Sequence, residues 1–304
     1  MSRAAQRFFV AGLALLAGCA AHGARALDRV RPTKPPPPSR PCEPADIPPN
    51  FLKTGRAVLQ NIPDRRHEPG HPKQGWCGEC ALQQALLYCG GYFPQKHINR
   101  AGKPRHPDLY ASDIPVAMKA LGSRYDWAPE PRSLPKFLAW VRKQIKAGHP
   151  VFTGVKINPT KHPEWGLDHF VLVAGCDPNG LTFNTTWARQ VRRTDEQLAS
   201  RKLKGFAYAN GRGAYYALRI TGAARAPGEA TVHLFVTKET SKSLDAIVKC
   251  EGLTPGATYV LTRSTSFSTT PAPFAAFQAF SSVYAFRVTF AQSAPAVFRC
   301  RLRR

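Results

Sequence analysis

Apolar residues recur at two different periods along this chain, and the change of period divides it. In the line CGECALQQALLYCGG, Leu82, Ala85, Leu86 and Cys89 stand at i, i+3, i+4 and i+7, the apolar stripe of one helix, which Gly90 and Gly91 end. In DHFVLVAGCDPNGLTFNTTW the spacing is that of strands. Phe170, Leu172 and Ala174 alternate with Val171 and Val173 as in a buried strand, CDPNG is a hairpin turn, and LTFNTTW returns antiparallel. From about residue 223 strand signals take over: TVHLFVT, AIVKC, ATYVLTRS, SVYAFRVTF and AVFRCRL, separated by Gly, Pro and Ser. Mixed helix and strand over 51–222 followed by strand alone over 223–304 predicts an α+β domain and then a small all-β, sandwich-like domain. Cys250 and Cys300, each at the end of one of these strands, are natural partners for a disulfide stapling the second domain.

The N-terminus follows neither period. FFVAGLALLAGCAA, preceded by Arg3 and Arg7 and closing on small residues around Ala24 and Ala26, has the layout of a secretory signal over residues 1–26. It is short for a transmembrane helix, and no later stretch is long and apolar enough to span. A secreted, extracellular protein is expected; if the source is bacterial, LAGC at Leu16–Cys19 also reads as a lipoprotein signal, with Cys19 carrying the lipid anchor. Residues 27–50 are so rich in proline that they predict an extended polyproline-II-like arm, tethered through Cys42.

Charge narrows the partners. A formal net charge of +24 favours contact with anionic polysaccharide or an anionic surface, and it equally suits a solubilising exterior. The basic residues are scattered and no aromatic-interleaved basic motif accompanies them, so no specific nucleic-acid partner is expected.

The chemistry concentrates where the helix begins. Trp76-Cys77-Gly78-Glu79-Cys80 puts two thiols at a helix N-terminus, where the dipole is expected to lower a thiol pKa. A redox dithiol of thioredoxin type needs a buried strand just upstream, but RRHEPGHPKQG is polar and Pro-rich. A zinc site needs a second ligand pair, and the chain has no second C-x-x-C and no H-x-x-x-H, so neither metal nor cofactor is expected. A plain structural disulfide remains open. A cysteine hydrolase needs a strand-borne His and a carboxamide or carboxylate to orient it, and His169 with Asn184 across the hairpin supplies both. With Cys19 in the leader, an odd number of cysteines remains, which leaves one thiol unpaired in an oxidising compartment. Asn184-Thr185-Thr186 is also a glycosylation sequon, expected to be buried and unmodified.

This arrangement resembles the papain-like cysteine peptidases: QGWCGEC is similar to their Gln-Gly-x-Cys-Gly-x-Cys, and NTTW to their Asn-x-Trp with one residue added. The helix line CGECALQQALLYCG is closer to the bacteriocin-leader, or double-glycine, peptidase-like branch, as is AGHPVFTGVK before DHFVLVAG. Glu79 stands where that branch has proline, and Asn184 where it has aspartate. The papain pattern makes Cys80 the nucleophile, with Cys77 its disulfide partner and Gln74 the oxyanion donor. The leader-peptidase pattern makes Cys77 the nucleophile, and the apolar positions fall into register from Cys77. Either way the resemblance implies attack of a thiolate on a peptide or isopeptide carbonyl, with His169 shuttling the proton and Asn184 holding the ring. The expected substrate is a peptide or protein. The alternatives are a non-catalytic cationic binding protein on the same scaffold and a thiol oxidoreductase using Cys77 and Cys80.

Overall fold

The computed structural model describes residues 57–58, 62, 64–73, 75–129, 133–161, 163–200, 205–208 and 215–303. The leader, the Pro-rich arm, Cys19, Cys42 and Gln74 lie outside these residues. In chain order the elements are β1 (Ala57–Val58), α1 (Cys77–Tyr88), β2 (Gly91–Tyr92), α2 (Gln95–Gly102), α3 (Asp113–Ala120), β3 (Arg124–Trp127), α4 (Leu134–Lys146), β4 (Val151–Val155) and β5 (His169–Asp177). Then follow β6 (Gly180–Asn184), β7 (Gln190–Thr194), α5 (Asp195–Leu198), β8 (Ala217–Gly222), β9 (Glu229–Glu239), β10 (Ser243–Glu251), β11 (Thr258–Ser264), β12 (Ala272–Gln278), β13 (Val283–Ala291) and β14 (Ala296–Leu302). The described fold is mostly β, with few helices.

The first sheet runs β3-β8-β4-β5-β6-β7, with β1 added to β5. Its centre, β5, is buried almost end to end, as its unbroken apolar sequence requires. The β5–β6 hairpin forms over the predicted turn: Asp177 pairs with Gly180, accepts the Asn179 N–H at 2.9 Å, and is clamped by Arg192 at 2.7 and 2.8 Å.

The second sheet runs β12-β11-β14-β9-β10-β13, with β2 added to β14. Its middle ladder, β14 to β9, is only Cys300–Ala230 and Arg301–Glu229, so the sheet folds over at that seam. Phe277 of β12 thereby meets Tyr284 and Phe286 of β13, with ring centroids 4.6 and 4.8 Å apart. Cys250 and Cys300 lie buried in this core as free thiols, close enough that a hydrogen bond between them is the main cause raising the Cys250 pKa.

α1 departs from its sequence pattern. One apolar face was expected, yet Gly78 through Leu87 are all buried, because β5 packs on one side of the helix and β9 on the other. Of its buried polar residues, Gln83 donates to Glu68 at 2.6 Å and to the Phe93 carbonyl at 2.8 Å, and Gln84 Nε2 donates to the Thr185 carbonyl at 2.9 Å, while Gln84 Oε1 has no partner among the described residues. The helix stops at Gly90, whose φ of 84° suits glycine. A Cβ there would stand 3.0 Å from the Phe298 carbonyl and 3.1 Å from that of Val232. The two cores interlock at this point. Leu87 and Tyr92 belong to the core of the second sheet, while Phe267 and Val297 belong to that of the first.

Candidate active site around Cys77

Cys77 is the first residue of α1, half-buried, on the wall of a cleft of about 500 Å³. The Phe170 and Gly78 backbone N–H groups stand close enough to favour its thiolate, so the thiol sits near the backbone of the residue that follows His169. Burial pushes the thiol up to about 12; the Glu79 and Asp108 charges add to the rise, and the two N–H groups oppose it. The lowered pKa expected at a helix start is therefore absent, because loss of water outweighs the dipole and the two amides.

Cys80 lies almost one helical turn on and is not among the residues lining this cleft. It is fully buried, with Gln84 Nε2 at 3.7 Å, and burial raises its pKa as well. Of the two thiols in the motif, only Cys77 is open to a reactant.

His169 opens β5 opposite Val155 and is 5% exposed. Its ring stacks on Trp187, centroids 4.8 Å apart and planes 11° apart. Burial, reinforced by His67, lowers its pKa to about 3, so the imidazole is neutral at ordinary pH. His67 itself packs under Gly75, where any Cβ would come within 2.5 Å of its ring. Its buried Nε2 has no hydrogen-bond partner among the described residues.

The group facing His169 Nε2 is Thr186, with Oγ1 at 3.3 Å, rather than the expected Asn184. The strand register explains the difference. Asn184 pairs with Leu172, and along a strand 169 and 172 point to opposite faces. Asn184 Oδ1 accepts from Gln190 Nε2 at 2.6 Å instead. The chain then turns back at Thr185, which bonds to Arg189, and brings Thr186 and Trp187 onto the ring. Asn184 is fully buried, so the sequon is not accessible on the folded chain.

Two buried ionisable groups that the sequence reading did not use shape the cleft. Glu79 Oε1 accepts from Asn99 Nδ2 at 2.7 Å and from the Leu109 N–H at 2.9 Å, fixing the wall formed by Leu109 and Tyr110. Burial raises this carboxyl to about 7, and its Oε2 has no partner among the described residues. On the facing wall, fully buried Lys156 donates to the Trp165 carbonyl at 2.9 Å and stands 3.6 Å from Asp168. Asp168 in turn accepts the Ile157 and Asn158 N–H groups at 2.7 and 2.9 Å. The only sequence signal for Asp168 was its place beside His169, and for Lys156 there was none. Among the described residues, no group of three His, Cys, Asp or Glu side chains is placed to hold a metal ion.

No family model matches this chain, and no curated protein matches it. Among solved structures it is similar to the peptidase domain of Streptococcus ComA, a bi-functional ABC transporter involved in a quorum-sensing pathway. The identity is 15%, the TM-score is 0.38, and the match covers 54% of this chain and 99% of that domain. A TM-score at that level assigns neither fold nor activity, so function has to be argued from the residues of the cleft.

Proposed function

We propose that this protein is a cysteine hydrolase of peptide or isopeptide bonds, with Cys77 as nucleophile and His169 as base. The observation that carries the reading is the placement of Cys77: a cleft-lining thiol at a helix start, near the amide of the residue after a buried, neutral imidazole. With thiol and imidazole both uncharged at rest, the proton leaves sulfur as the carbon–sulfur bond forms. His169 takes that proton and returns it to the departing amine, leaving an acyl thioester that water hydrolyses. Thr186 and Trp187 hold the ring through this exchange, in the role first expected of Asn184. The Gly78 N–H, next to the thiol in the first turn of α1, is suited to stabilise the oxyanion. Export by the N-terminal signal and a peptide or protein substrate belong to the same proposal.

The test is labelling with an epoxysuccinyl peptide at pH 7, followed by peptide mapping. Modification is expected at Cys77. It should be abolished by Cys77→Ser and strongly slowed by His169→Ala in a protein whose circular dichroism is unchanged. Labelling at Cys80, or a rate indifferent to His169, would overturn the assignment. Insulin-disulfide reduction that needed both Cys77 and Cys80 would favour the oxidoreductase instead.

A further inference from the structure

At the far end of α1 from Cys77, a second cavity of about 500 Å³ opens between the ends of α1 and α4 and the second sheet. Arg124, Arg225 and Arg299 all line it. Among the described residues no carboxylate forms an ion pair with any of the three, whereas both carboxylates on the cavity wall are taken: Glu229 by Arg301 and Glu251 by Lys249. Two of the guanidinium groups are held in place by one neutral contact each, Arg225 to Thr231 Oγ1 and Arg299 Nη2 to the Ala224 carbonyl at 2.9 Å. A guanidinium has five N–H donors, so most remain available.

Neutralising helix ends does not account for these arginines. The carbonyls of Ala85, Leu86 and Leu87 already accept main-chain N–H groups, that of Tyr88 accepts His233 Nδ1–H at 2.6 Å, and that of Gly148 accepts the Tyr88 hydroxyl at 2.9 Å. His149, on the same wall, has its pKa lowered first by burial, then by Arg219 and by the cavity's own Arg225, with Asp126 opposing. The cavity thus gathers three guanidinium groups with which no described carboxylate forms an ion pair, and Phe267 and Phe298 also line it.

We propose that this cavity binds a small molecule bearing a phosphate or sulfate group, the oxyanion seated among Arg124, Arg225 and Arg299 and the organic body against Phe267 and Phe298. Planar guanidinium forks match the spacing of oxyanion oxygens. The volume is that of a small-molecule site. The site is independent of the hydrolase reading, since none of its residues lies in the Cys77 cleft.

Inorganic pyrophosphate is the probe, titrated calorimetrically into the full mature chain at an ionic strength held constant with NaCl. Removing two guanidinium donors with Arg225→Gln/Arg299→Gln should weaken binding by about tenfold or more. An exposed control pair, Arg100→Gln/Arg303→Gln, removes the same charge elsewhere and should leave the affinity unchanged. A site-local readout is Cys89, whose thiol lines the same cavity: pyrophosphate should slow its alkylation, followed by mapping of the 74–96 peptide, while leaving the rate at Cys77 unaltered. Equal weakening in both double variants, or no protection of Cys89, would show only general attraction to a basic surface and would overturn the proposal.

Discussion

The neutral, buried imidazole of His169 makes a quantitative claim about stability. Its pKa in the folded protein is about 3, against 6.5 for an ordinary histidine. Between those values the unfolded chain binds a proton that the folded chain refuses. The contribution of His169 is therefore intact above pH 6.5 and is lost as the pH falls toward 3. From pH 7.5 to 4.5 the loss amounts to about 3 kcal/mol, two pH units below the unfolded pKa at about 1.4 kcal/mol each. Asp64 and Glu79 drift in the opposite sense, because burial raises their pKa values to about 8 and about 7. The measurement is therefore a difference. Urea unfolding of the parent and of His169→Gln, at both pH values, cancels every group the two proteins share. His169→Gln loses the Trp187 stacking at either pH, but the gap between the two proteins should shrink by about 3 kcal/mol on acidification. A gap that does not change with pH would mean that the folded ring titrates like an ordinary histidine, and a gap that widens on acidification would mean that it is held protonated, as in a thiolate–imidazolium pair. The neutral-pair mechanism would then be wrong.

The other expectations concern the supports of the cleft and of the two cores. Glu79→Gln keeps the acceptor for Asn99 and Leu109 but removes the ionisation. The folded pKa of Glu79 is raised, so the parent should lose about 3 kcal/mol relative to Glu79→Gln as the pH rises from 4.5 to 8, read by urea unfolding. Gly90→Ala combines an unfavourable positive φ with contacts at 3.0 and 3.1 Å to two carbonyls and should cost about 2–4 kcal/mol; unchanged unfolding would refute the tight packing described at that turn. Oxidising conditions should join Cys250 to Cys300 and add about 2–5 kcal/mol of stability. Mass mapping that pairs either thiol with another cysteine would rule that out.

What the sequence made legible was whatever depends on near neighbours. The α1 helix, its stop at Gly90, and the β5–β6 hairpin over Asp177–Gly180 all follow from local periodicity and turn chemistry, and they stand in the structure, although α1 is buried all round and not on one stripe. The strands β9, β10, β11, β13 and β14 also match apolar runs, whereas β12, APFAAFQ, is alanine-rich and begins beside prolines, and gave no signal. The site was legible as residue types but not as contacts. The spacing Asn-Thr-Thr-Trp suggested an orienting amide, but register fixes which residue meets the ring, and register depends on the β5 pairing and the turn at Thr185. Burial was equally hidden. An N-terminal thiol looks activated until both walls of the cleft and the covering sheet are in place, and then desolvation reverses the sign of its pKa shift. Lys156 was invisible for the same reason, since nothing local says that a lysine will be enclosed.

The full enclosure of α1 changes what kind of object the helix is. At about 1.5 Å per residue it is a rod roughly 18 Å long, with the candidate nucleophile at one tip and, just past the other, the Gly90–Tyr92 stitch sewn into β14. Neither sheet can open without baring a side of that rod. Its amide hydrogens should therefore exchange with solvent at the rate set by whichever sheet opens more readily, a single protection factor from Cys80 to Tyr88 in place of a gradient. Loosening the second sheet, which holds none of the cleft residues, would then be felt at the sulfur as slack in its mounting.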